Sequence, residues 1–250
     1  MTTPKLDGTR VHEIADGLFQ IHTPVAGVAG GFSFNQYLLR DDASLLFHTG
    51  PRALFANVRD AIARVLPLER LRYVSFGHVE SDECGALNAL LEAAPNAIPL
   101  CGQIAAMVSV NDLADRPAKA LADNEPLSLG RNTIRWLDAP HVPHSWENGY
   151  IMIDTLQTLL CGDLLTQPGT DHKPLTASDI LGPSEAMRAQ MDYYAHGPNT
   201  GPVLERLAAQ RPKLLACMHG SAWQGDGAAL LKSLRATLAP QGAAIIQKVS

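Results

Sequence analysis

Val74-Ser75-Phe76-Gly77-His78-Val79-Glu80-Ser81-Asp82-Glu83-Cys84-Gly85 is the stretch that decides how this chain is read. An apolar strand runs out through glycine into His78, Glu80 and Asp82 at alternate positions. Residues two apart in extended backbone point to the same side. Three groups able to hold a cation are thereby delivered to one side of a strand end, just ahead of a helix beginning near Glu83. Alone, the segment also reads as a polar loop with coincidental acids.

Three other strand ends close on the same residue types. Ala139-Pro140-His141-Val142-Pro143-His144-Ser145 supplies His144 from a loop after a strand, Leu160-Cys161-Gly162-Asp163 ends in a carboxylate, and Leu215-Ala216-Cys217-Met218-His219-Gly220 ends in histidine. Ligands drawn from several strands to one sheet edge are held by the ladder behind them, which is how rigid scaffolds build dinuclear sites.

Around these motifs, apolar runs of four to six residues alternate with stretches of helical period, and no Pro/Ser linker or charge block interrupts them. Strands are predicted at 19–21, 37–40, 44–47, 72–76, 98–100, 133–137, 150–153, 158–161 and 213–217, with Asp41-Asp42 turning a hairpin between the second and third. Helices are predicted at 53–65, 83–94, 103–113, 184–196, 203–210 and 228–238, with Gly50-Pro51 starting the first and Ser184 capping the fourth. Hairpins interleaved with helices give a layered α/β fold, expected as one domain over residues 1–250 with its core at about 19–240. Gly30-Gly31 lacks the spacing of a dinucleotide fingerprint.

Composition narrows the function classes. The 250 residues are 46% hydrophobic and 18% charged, too apolar for disorder. A net charge of −5 without a basic run gives nucleic acid or anionic lipid nothing to attract it. No apolar leader and no membrane-length apolar run is present, so a cytoplasmic location is expected. Cys84, Cys101, Cys161 and Cys217 lie far apart without a Cys-x-x-Cys and are read as reduced core thiols.

His78-x-Glu80-x-Asp82, followed by His144, Asp163 and His219, resembles the metallo-β-lactamase superfamily. With glutamate at its second position, the motif is similar to the diiron branch: the lactamase-like domain of flavodiiron proteins and the stand-alone oxygen-binding diiron proteins. Sixty-one residues separate Asp82 from His144, 18 separate His144 from Asp163 and 55 precede His219. Thr49-Gly50, followed by Pro51, stands where the superfamily usually has the Thr-Gly of Asp-Thr-Gly. The resemblance implies a four-layer αββα sandwich, two mixed sheets flanked by helices. One metal would take His78, Glu80 and His144, the other Asp82 and His219, and Asp163 would bridge them. Two iron ions are implied, with zinc or manganese as alternatives, joined by an oxo, hydroxo or water bridge. Hard carboxylate oxygens bias such a site from zinc toward iron or manganese.

The chain departs from the pattern twice. Glu83 stands where the family often has a further histidine; it could ligate the second metal, accept a hydrogen bond from a ligand histidine, or cap the helix. His48 replaces the aspartate of Asp-Thr-Gly. Neither a flavodoxin-like nor a rubredoxin domain is expected, so no FMN site is expected within the chain. Electrons for O2 or NO reduction would come from an external redox partner, and the family suggests a homodimer. The expected function is binding or reduction of O2 or NO. Its rivals are a dinuclear metallohydrolase acting on ester, thioester, phosphodiester or lactam bonds, and a sensor that binds oxygen without turnover.

Among the other histidines, His12, His22, His172 and His196 have no ligand context and read as surface or structural, with His141 and His172 also placed where they could line the pocket. Trp146, Tyr150, Tyr193 and Tyr194 serve as cavity wall or core equally well.

Overall fold

The computed structural model describes residues 8–27 and 30–239, so both ends of the expected 1–250 span lie outside the described residues. The first sheet holds β1 (Arg10–Ala15), β2 (Leu18–Val25), β3 (Phe32–Leu39), β4 (Ser44–Phe47), β5 (Leu71–Ser75), β6 (Ile98–Gly102) and β7 (Lys119–Leu121), side by side in chain order. The second holds β8 (Pro126–Ser128), β9 (Thr133–Asp138), β10 (Gly149–Ile153), β11 (Thr158–Leu160), β12 (Leu175–Thr176), β13 (Leu214–Ala216) and β14 (Ala222–Gln224), in the order β12-β14-β13-β11-β10-β9-β8. The helices are α1 (Phe55–Ala63), α2 (Ser81–Cys84), α3 (Leu87–Ala93), α4 (Gln103–Ala105), α5 (Asn111–Leu113), α6 (Leu181–Arg188), α7 (Thr200–Ala209) and α8 (Gly227–Leu238). A π-helical turn, Ala106–Val110, joins α4 to α5.

Connection length sets strand direction. Connections too short for a crossover leave β1 to β4 antiparallel, whereas helical crossovers make β4 to β7 parallel. The expected hairpin pairs Tyr37 with Phe47. At its turn Asp41 accepts from the backbone N–H of Asp42, Arg131 and Asn132, tying it to the second sheet.

Three apolar layers give four of structure. Val58 and Ile62 of α1 and Leu87, Leu90 and Leu91 of α3 bury against Leu38, Leu46 and Val74. Tyr37, Phe47, Leu100, Trp136, Ile151 and Leu160 fill the space between the sheets. Val203, Leu204 and Leu207 of α7 and Leu231 and Leu234 of α8 cover Leu159 and Leu215. Each fully buried aliphatic side chain contributes about 1.5–3 kcal/mol. The two mixed sheets flanked by helices are the αββα arrangement expected.

Gly149 is the close approach that lets the sheets meet. A Cβ there would stand 2.2 Å from the Trp136 ring, and its N–H donates to Gly77 O at 3.0 Å, one residue before His78.

Three helices differ from the sequence reading, the one expected over 103–113 being interrupted by the π-helical turn Ala106–Val110. The helix expected over 184–196 is Leu181–Arg188, with Ser184 buried inside it. Asp179 accepts from the N–H groups of Leu181 and Gly182 and so fixes the start three residues early. The helix expected over 83–94 is divided into α2 and α3, because the Ala86 N–H turns to Gly50 O and Thr49 Oγ1.

Candidate metal centre

Two sheets deliver six side chains to one place. From the first, the chain leaving β5 presents His78, Glu80 and then Asp82 at the start of α2. From the second, β9, β11 and β13 run in one direction, and the loops beyond their C-terminal ends carry His144, Asp163 and His219. Glu80 precedes α2 in extended backbone (φ −140°, ψ 157°). Left-handed non-glycine residues crowd these loops: His48, His141, Ser145 and Leu165 have φ between 60 and 69°. Such backbone persists where surrounding contacts over-determine it, and it concentrates at functional sites.

The six groups fall into two sets that share Asp163. His78, Glu80, His144 and Asp163 offer ligand atoms all within 4.8 Å of one another. His78 Nε2 lies 2.9 Å from Glu80 Oε2 and 2.8 Å from His144 Nε2. Asp82 Oδ2 lies 3.5 Å from His219 Nε2. Asp163 faces both sets: Oδ2 is 3.6 Å from His144 Nε2 and 3.8 Å from His78 Nε2, while Oδ1 is 3.3 Å from His219 Nε2.

The opposite edge of each imidazole is pinned. His144 Nδ1 lies 2.9 Å from Tyr193 O and His219 Nδ1 lies 2.7 Å from Ser33 O. His78 Nδ1 lies 3.1 Å from Asn148 Oδ1, an amide whose Nδ2 donates to Val142 O. Oxygen acceptors at all three Nδ1 atoms keep the proton there and leave each Nε2 lone pair facing inward. Lone pairs converging on carboxylate oxygens, with Asp82 Oδ1 buried and without a hydrogen-bond partner, are a donor set suited to cations.

Charge tells the same story. Burial alone would lower His78, but Glu83, Glu80 and Asp163 outweigh it and raise the imidazole to about 10. Burial is likewise outweighed at His219 by Asp163 and Asp82, again to about 10. Hydrogen bonding to His144 and His78 holds Glu80 well below the ordinary carboxylate range. The surrounding carboxylates favour positive charge at these imidazoles, and a cation in the cage would supply that charge in competition with their protons.

Glu83 lies behind His78. Its Oε1 is 3.6 Å from His78 Nδ1 and its Oε2 accepts from Gly77 N–H, on the side away from the inward Nε2. The cage opens into a cavity of about 160 Å³ walled by Phe32, Thr166, Met187, Met191 and Tyr193. Of the aromatic candidates, Tyr193 is in that wall, Tyr150 is buried with its hydroxyl donating to Val142 O, Tyr194 is core and Trp146 is 57% exposed. His172 stacks edge-on near His22, outside the wall. Asn148, Ser33 and the thioether wall carried no sequence signal, since their parts are fixed by a side-chain orientation, a carbonyl and a loop path that spacing does not encode.

A two-sheet αββα sandwich with a His/Glu/Asp cage at one sheet edge defines a metallo-β-lactamase-like metal-binding protein. The chain belongs to the ODP beta-lactamase family, whose model matches residues 32–220. It is 28% identical over 221 residues to a rubredoxin-oxygen oxidoreductase of Megalodesulfovibrio gigas, covering 78% of this chain and 50% of that protein. It is 24% identical over 229 residues to an anaerobic nitric oxide reductase flavorubredoxin of Vibrio vulnificus, covering 87% and 44%. The chain thus spans about half the length of these curated relatives. Among solved structures, the flavodiiron protein of Giardia intestinalis superposes with TM-score 0.78 at 18% identity over 94% of this chain and 60% of that one. A fragment of putative diflavin flavoprotein A 5 from Nostoc sp. gives 0.79 at 17% identity over 92% and 94%. Among the described residues no helix is long and apolar enough to cross a membrane.

Proposed function

We propose that this chain houses a non-haem diiron centre that binds or reduces O2 or NO. His78, Glu80 and His144 would hold one iron, Asp82 and His219 the other, and Asp163 would bridge. The observation that carries the reading is the carboxylate of Asp163, whose two oxygens face the two sets of donors. Three carboxylates beside three imidazoles favour iron or manganese over zinc. When bound, two ferrous ions supply electrons that O2 or NO can accept.

The chain's own residues supply the rest. Tyr193 and Ser33 carbonyls and Asn148 hold the imidazoles in one orientation. Phe32, Met187 and Met191 give an apolar approach that suits a small neutral molecule. Names of relatives that reduce oxygen and nitric oxide support the same substrate class. Residues 1–250 would form one domain, core about 19–240, acting in the cytoplasm, as a homodimer, with an external electron donor.

The test is anaerobic loading with ferrous iron, metal analysis, and exposure to O2 or NO. Two irons per chain and an iron charge-transfer band appearing on exposure are expected. Preferential zinc occupancy with turnover of esters or phosphodiesters would make the chain a hydrolase instead.

A further inference from the structure

The two positions at which the chain departs from its family pattern touch each other. His48 Nε2 lies 3.3 Å from Glu83 Oε1, both side chains wholly buried, with His48 in left-handed backbone at φ 69°. A buried carboxylate beside a single imidazole is costly unless its other lone pairs are used. The Oε2 of Glu83 is satisfied by backbone N–H groups, whereas its Oε1 makes no hydrogen bond among the described residues and lies between two segments that carry cage residues. Oε2 accepts from the N–H groups of Gly77 (2.5 Å) and His78 (3.3 Å). Oε1 faces His78 Nδ1 at 3.6 Å. It also lies under the turn before Asp163: a Cβ on Gly162 would be 3.4 Å from Oε1 and 3.9 Å from His48 Nε2. The backbone of Glu83 is fixed in turn, its carbonyl accepting from Thr49 N–H at 2.7 Å and Thr49 Oγ1 at 3.2 Å.

We propose that His48 and Glu83 act as one positioning unit that aims His78 into the cage and seats the Gly162–Asp163 turn. His48 packs its Nε2 against the carboxylate; the carboxylate holds the peptide that leads into His78, whose ring Asn148 orients. Asp82 and His219 are outside this unit, since His219 is held by Ser33 and Phe32. The unit therefore bears directly on His78, and on the other half of the cage only through the turn that carries Asp163. This inference rests on the dinuclear reading only for its metal consequence, because the positioning itself is a property of the protein alone.

The experiment has two arms, run on the full chain with Glu83→Gln and His48→Asn, the latter chosen because asparagine tolerates left-handed backbone. In the first, amide hydrogen exchange is followed without added metal. Both variants should exchange Gly77 and His78 amides at least about tenfold faster than the parent chain, with the core strands unchanged. In the second, cobalt(II) is titrated anaerobically and its visible spectrum recorded. The parent chain should take two ions, and each variant should bind one of them about 10–100-fold more weakly with an altered band for that ion. The double variant should lose no more than Glu83→Gln alone, as expected of coupled residues. Unchanged exchange at Gly77 and His78 in both variants, or independent additive losses in the double variant, would overturn the proposal. If Glu83→Gln fails to fold, His48→Asn, which keeps the carboxylate, decides both arms. A parent chain that takes no cobalt would refute the dinuclear reading, and the exchange arm would still decide the pair.

Discussion

His78 and His144 bring their Nε2 atoms to 2.8 Å while both Nδ1 atoms face oxygen acceptors. Two imidazole lone pairs at that distance repel unless a proton or a cation lies between them. Protons and metal therefore compete for the same place, and pH decides the balance. We expect metal affinity to rise with pH and uptake to release protons, measured by calorimetry in buffers of different ionisation heat. Binding heats that do not depend on the buffer would contradict this.

The same raised imidazoles set a stability profile. His78 and His219 move from an ordinary 6.5 to about 10 in the folded protein without metal. A group raised on folding stabilises fully below its unfolded value, and that contribution disappears as pH climbs through the folded one. Chelator-treated protein should thus lose thermal stability between neutrality and about pH 10, whereas metal-loaded protein should lose much less. Thermal unfolding followed by circular dichroism across that window checks both halves of the expectation.

Asp163→Asn keeps size but exchanges one oxygen for an amide nitrogen that cannot face a cation. Because the two oxygens address different sets of donors, the loss should fall on both metal positions. Stoichiometry by elemental analysis should drop from two ions per chain to one or fewer, while the far-ultraviolet dichroism stays as it was.

Glu80→His replaces a hard anionic donor by a neutral imidazole. In competition between ferrous iron and zinc, the variant should favour zinc by about tenfold more than the parent, equivalent to about 1.4 kcal/mol. An unchanged ratio would mean that something other than donor chemistry sets metal choice.

Gly149→Ala tests the seam between the sheets. A methyl group forced against Trp136 should destabilise by about 1–3 kcal/mol. It should also disturb the Gly149 N–H to Gly77 O bond beside His78. Denaturant unfolding gives the first effect, and weaker cobalt binding the second.

The central strands were legible because their residues had no other use. Ser44–Phe47 is wholly buried and has the bounds expected, whereas the strands expected at 19–21 and 37–40 run longer, as Leu18–Val25 and Phe32–Leu39. β1, β7, β8, β12 and β14 were not legible, being short or part-exposed strands whose pairing comes from the neighbour rather than from their own pattern. All six proposed ligands were named from strand ends, since a polar residue following an apolar strand leaves a local trace. The contact between His48 and Glu83 was not, because 34 residues of chain separate them and neither predicts the other.

One consequence follows from how the cage is divided. His78, Glu80 and Asp82 all come from the chain before Asn124, which begins the passage to β8, and His144, Asp163 and His219 all come after it. Cut there, the polypeptide would yield two pieces with three donors apiece, neither able to enclose a pair of ions. Cation capture would then report reassembly of the pieces, making the centre a built-in gauge of whether the two sheets have found each other.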